Sequence, residues 1–134
     1  MSHKTINAAL SVHLKSLGYP VEFENKNFDP TKGDAYLSEA YLPATTALPS
    51  IDKKGTRDYQ GIYQVTVYAA RDKGKAEAYT ISEQVAKLFE PLTRITRDGI
   101  TVEINDEPQQ IGAFPVGDRF AIPVSVNWRA LIKP

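Results

Sequence analysis

"GIYQVTVYAARDKGKAEAYTISEQVAKLF", residues 61–89, decides the fold, because a two-residue repeat gives way to a helical one within it. Tyr63, Val65, Val67 and Ala69 fall on one side of an extended chain, and Ile62, Gln64, Thr66 and Tyr68 on the other. The first set makes a core face; the second is neither fully apolar nor fully polar. From Ala78 onward the apolar residues recur at three and four (Ile81, Val85, Leu88, Leu92), and Pro91 stops the helix. A strand running into a helix through a Gly-Lys turn is also how a phosphate-binding loop begins. That loop needs a glycine five residues before Gly74 and a hydroxyl after Lys75, so that backbone amides cradle phosphate and the hydroxyl reaches a metal. Ala69 and Ala76 occupy those positions. "RDKGKA" therefore reads as a polar surface turn, with Gly74 permitting an unusual backbone angle and Glu77 favoured by the helix dipole.

Outward from this unit the chain alternates simply. Ile6, Leu10, Leu14 and Leu17 predict a helix over 4–17, stopped by Gly18 and Pro20. "VEFEN" at 21–25 and "AYLSEAYLP" at 35–43 predict strands, and the polar segment 44–58 predicts a long loop. "RDG" at 97–99 is a turn signal before "ITVEIN", and a second loop spans 106–118. In "RFAIPVSVNWRA", Phe120, Ile122, Val124, Val126, Trp128 and Ala130 face one way, and Arg119, Ser125, Asn127 and Arg129 the other. Pro123, lacking an N–H, predicts a sheet edge or bulge. The expected architecture is one α+β domain of order α-β-β-β-α-β-β, with two helices on one face of a mostly antiparallel, mixed sheet.

Composition narrows the function. With 134 residues and no cysteine, the chain suits one domain without disulfides or cysteine-ligated metal. Sixteen basic and sixteen acidic residues argue against binding nucleic acid by overall charge. No apolar run spans a bilayer and the first residues lack a secretory pattern, so a soluble cytoplasmic domain is expected. Asn25, Asn27 and Asp29 imitate the start of an EF-hand loop, but Pro30 and Tyr36 stand where Gly and Glu are required. His3 and His13 have no ligand-type neighbours in their helix, and the alternating Glu22 and Glu24 fit a solvated or interface-facing strand. No catalytic, cofactor-binding or metal residues are assigned.

"YPVEFENKNFDP" (19–30), "GIYQVTVYAARDKGKAEA" (61–78) and "GDRFAIPVSVNWRA" (117–130) resemble the phage tail terminator-like proteins of long-tailed bacteriophages and prophages. Phe23 stands where those proteins often have Trp, and Ala70, Arg71 and Asp72 replace a proline-containing turn. The resemblance implies an α+β virion protein, assembled in the host cytoplasm, whose copies form a ring, generally a hexamer. Such a ring caps the finished tail tube, stops its polymerisation and offers a surface for joining the head. Its partners would be itself, the tail tube protein and a head–tail connector, with DNA passing through unbound and no cofactor. A monomeric minor tail or neck adaptor, and a small nucleotide-binding enzyme using Lys75, are the alternatives. No family motif specifies contact residues. The interface candidates are Ile51, Lys53, Lys54 and Arg57 of the long loop, and Tyr68, Arg71, Lys73 and Lys75 around the strand-to-helix junction.

Overall fold

The computed structural model describes residues 2–23, 35–47, 57–70 and 75–132. Ten elements follow in order: α1 (Ser2–Lys15), β1 (Val21–Glu22), β2 (Tyr36–Ala47), β3 (Arg57–Ala70), α2 (Lys75–Leu88), β4 (Arg94–Arg97), β5 (Ile100–Ile104), β6 (Gln109–Gln110), β7 (Phe114–Val116) and β8 (Arg119–Ile132). The expected strand–helix pair at 61–89 is present as β3 and α2, and both helices pack on one face of a mixed, curled sheet.

The spine of that sheet is the antiparallel pair β3–β8, in register from Arg57↔Ile132 to Ala70↔Arg119. Strand order is β1-β2-β3-β8-β5-β4, with β6 and β7 also pairing β8. β1 is the parallel member, and β2 crosses antiparallel to β3 with a register shift between Pro43 and Thr46. The far side of β8 is covered in relay: β7 pairs its start, β6 its middle and β5 its end.

Hydrophobic burial sets the layering. Tyr63, Val65, Val67 and Ala69 of β3 are fully buried, as are Ile122, Val124 and Val126 of β8, beneath Ile6, Leu10 and Leu14 of α1 and Val85 of α2. Within this core the Glu39 carboxylate accepts hydrogen bonds from the Tyr63 hydroxyl and from Ser11 at 2.7 Å. These two hydroxyls satisfy the buried acceptor and tie α1 to the sheet. Gly61 faces Trp128 in the ladder, and a Cβ there would lie 2.7 Å from the indole Cζ2 and 2.6 Å from the Leu42 carbonyl oxygen. The indole stacks on Tyr41 at 5.4 Å, so the missing side chain makes room for an aromatic pair.

Several expectations change. α2 ends at Leu88, and Phe89 takes the core position that the helical stripe assigned to Leu92. Leu92 follows Pro91, adopts φ 72° and is 77% exposed, its N–H donating to the Ile104 carbonyl. Pro123 is buried in a strand paired on both sides, so of the two expected places it takes the bulge and not the edge: between Gln110↔Val124 and Phe114↔Ala121, residues 111–113 stand opposite 122–123. Its carbonyl accepts from Ile111, so its nitrogen faces the same side, into the break between β6 and β7 where no strand asks for a donor. The segment 44–58 is partly strand, because Thr46↔Tyr59 and Ala47↔Asp58 extend the β2–β3 ladder; residues 48–56 lie outside the described part. Three further strands, β4, β6 and β7, add to the expected order. Phe120 is only half-buried, and α1 begins and ends two residues earlier than 4–17.

Candidate protein interface

Both helices lie on one face of the sheet, and among the described residues no helix covers the other. Alternation and register assign to it Tyr36, Ser38, Ala40 and Leu42 of β2, Ile62, Gln64, Thr66 and Tyr68 of β3, and the odd-numbered residues of β8. Its composition is the unresolved half of the 61–69 pattern: hydroxyls and amides in the middle, aromatic and charged groups towards the ends. Leu42, Ile62, Phe114, Val116 and Leu131 on this face are exposed.

One end is aromatic. Tyr36 and Tyr68 stand opposite each other and stack at 4.8 Å, and the Arg119 guanidinium lies 4.8 Å over the Tyr36 ring. Arg119 was expected on the polar face; it is there, but buried to 8% exposure by this stack. Burial raises the Tyr68 hydroxyl above the usual phenol range, and Glu22 adds to the effect. Tyr36 is raised as well, by burial first and then by Tyr68. Both rings therefore remain neutral hydrogen-bonding groups on a semi-apolar surface.

The other end is ionic. Arg129 grips Asp58 with two parallel bonds, Nε to Oδ1 at 2.9 Å and Nη2 to Oδ2 at 3.0 Å, and Gln60 adds a third at 3.0 Å. The Arg129 hydrogen bond holds the Asp58 carboxyl below the usual carboxylate range although its burial pushes the other way. Arg94 Nε reaches Glu103 at 3.0 Å across β4–β5, and Thr96 faces Thr101 at 2.9 Å. Arg94, Glu103 and Arg129 border a hollow of about 190 Å³ with Thr101 and Leu131. Its guanidinium groups already hold carboxylates, so the hollow is locally neutral and suits hydrogen-bonded protein contact better than capture of a free anion.

Of the expected interface residues, Arg57, Tyr68 and Lys75 are described; Ile51, Lys53, Lys54, Arg71 and Lys73 lie outside the described residues, as does Glu24. Arg57 and Tyr68 sit towards opposite ends of β3, about 35 Å apart at ~3.3 Å per residue. Tyr68 and Lys75 share one end, where Lys75 opens α2 and its amine lies 5.9 Å from the Phe120 ring centre. Both histidines make side-chain contacts from α1, His3 at the surface and His13 half-buried. His3 Nδ1 meets the Tyr41 hydroxyl at 2.7 Å, and His13 Nε2 donates to the Leu88 carbonyl at 3.0 Å while its ring packs edge-on to Phe89. Among the described residues no group of three or more His, Asp or Glu side chains is arranged to hold a metal.

The comparisons with known proteins agree with this architecture. A family model described as "Phage tail terminator protein" matches residues 5–128. No curated protein matches the chain. One solved structure superposes with a TM-score of 0.82 at 21% identity, covering 100% of this chain and 99% of the other, which establishes the shared fold.

Proposed function

The chain belongs to the phage tail terminator family, and from that premise we propose that it forms a homo-oligomeric ring, a hexamer, that caps the tail tube. The ring ends tube polymerisation and presents a second surface to a head–tail connector, while genome DNA passes through without specific binding. The work is assembly in the virion, without catalysis or cofactor. The match over residues 5–128 carries the reading, because it spans nearly the whole chain rather than one element.

The physical arrangement supports it. A terminator must bind the tube end without offering the next tube subunit an equivalent surface, so its ring faces must differ. This fold is two-sided by construction, with helices on one side and a half-polar sheet face on the other. The zero net charge suits a ring through which polyanionic DNA passes without being held by counterion release. Tyr68, Arg57 and Lys75, with Ile51, Lys53, Lys54, Arg71 and Lys73, are proposed for contacts with neighbouring copies or tube.

Light scattering behind size-exclusion chromatography, with and without purified tail tubes, tests the ring directly. The expected result is a defined oligomer, or one ring at the tube end by electron microscopy. A chain that stays monomeric under both conditions and leaves tube length unchanged refutes it and favours a monomeric adaptor.

A further inference from the structure

A ring built from identical chains by a head-to-tail contact needs two different, complementary patches on each chain, set apart so that one copy cannot satisfy itself. Two surface features meet those terms. The first is a knob on the β7–β8 hairpin: Phe114 and Val116 are each 43% exposed, flanked by Pro115, on strands locked by the pairs Phe114↔Ala121 and Val116↔Arg119. Gly117 with φ 59° closes this hairpin, so the apolar side chains are presented on a preformed support and little ordering is needed to bind.

The second is a groove of about 400 Å³ where the end of α1 meets the last turn of α2, with Leu17 and Leu88 as its apolar wall and Lys87 and Glu90 on its rim. Knob and groove lie towards opposite ends of α2. Lys75, the first residue of that helix, covers Phe120, the ladder partner of Pro115 in the knob, whereas Leu88 is its last residue. Fourteen residues at 1.5 Å separate them by roughly 20 Å along the axis. The charges are also complementary. The turn that carries the knob bears exposed Asp118, and the groove rim offers exposed Lys87 in return.

We propose that Phe114 and Val116 of one copy seat against Leu17 and Leu88 of the next, with Asp118 meeting Lys87. This contact rests on the ring reading above and specifies its geometry. The natural absence of cysteine permits a clean test. Asp118→Cys/Lys87→Cys should be joined by a short bis-maleimide, whose reach matches that of an Asp–Lys pair, into a covalent ladder that ends at the ring number. Mixed single variants should stop at dimers, because each copy then carries one thiol. Phe114→Ala should raise the concentration needed for assembly by at least about tenfold. Asp118→Lys should raise it about fivefold, with recovery in Asp118→Lys/Lys87→Asp. Unchanged thermal melting of these surface variants confirms folding. Wild-type rings together with a double-cysteine variant that forms rings but no ladder overturn this contact and leave the ring reading standing. Wild-type chains that form no oligomer, alone or on tubes, overturn both.

Discussion

Adding one methyl group at Gly61 should cost more than its size suggests, and the reason lies in what surrounds it. The position is buried and its backbone angle is one that any residue adopts, so the effect is steric. An alanine Cβ would meet the Leu42 carbonyl oxygen at 2.6 Å, Trp128 Cζ2 at 2.7 Å and Pro43 Cα at 3.0 Å. Two of these atoms belong to the β2 backbone, which moves only by opening its ladder with β3. The third belongs to an indole that is 1% exposed and stacked on Tyr41. Overpacking of this kind costs about 2–3 kcal/mol. The reduced freedom of the unfolded chain returns roughly 0.5–1 kcal/mol. The net loss of about 2 kcal/mol lowers the melting temperature by roughly 5–8 °C in a chain of this length. Calorimetry or circular dichroism on Gly61→Ala measures it, with Gly112→Ala as control, since a Cβ there meets nothing within 4 Å. Trp128→Phe should be less costly in the Gly61→Ala background than in the wild type, giving a coupling of at least ~0.5 kcal/mol. A Gly61→Ala variant melting at or above the wild-type temperature, or strictly additive costs, would refute the reasoning.

The ion pair at Asp58 gives a pH-dependent prediction. Its carboxyl is lowered in the folded state, so the stabilisation is present above the unfolded value of about 3.9 and is lost as pH falls through the folded value. Urea titrations of Asp58→Asn should therefore show a flatter loss of stability below about pH 4 than wild type. At Glu39, Glu39→Gln retains an acceptor for Ser11 and Tyr63 and should lose little. Glu39→Ala removes the acceptor that Ser11 and Tyr63 share and should lose about 2–4 kcal/mol in chemical denaturation. Replacing residues 48–56 by a short Gly-Asn turn should preserve melting temperature, because Ala47 and Asp58 are already ladder partners, while impairing tube capping seen by electron microscopy.

The sequence carried the parts of this fold that follow a strong period. Tyr63 through Ala69 and Ile122 through Ala130 alternate against a single apolar layer, and the structure buries the members expected of them. The short strands follow no such rule. β6 and β7 are two and three residues long and exposed throughout, so burial writes no pattern into them. β4 was recoverable in principle: Asp98 and Gly99 have φ 51° and 79°, the signature of a two-residue hairpin turn, which requires a strand before it as well as after. Leu92 shows the converse, an apolar residue at helical spacing whose place in the core was taken by Phe89 once Pro91 ended the helix. The candidate interface was only partly readable. Tyr68 and Ile62 marked an unusual second strand face, but the Tyr36–Tyr68–Arg119 stack and the Asp58–Arg129 clasp depend on register between distant segments.

The relay of β7, β6 and β5 along one side of β8 has a consequence for how the molecule comes apart. The exposed strands β6 and β7 each hold a short stretch of β8, β5 is anchored by buried Val102 and Ile104, and every residue of β3 is matched to β8 on the opposite side. Amide exchange should therefore divide along the length of a single strand. Amides of β8 aimed at β3 should exchange only on global unfolding, and those aimed at β6 and β7 should exchange through local openings. One strand would then report both the most durable and the most yielding parts of the domain.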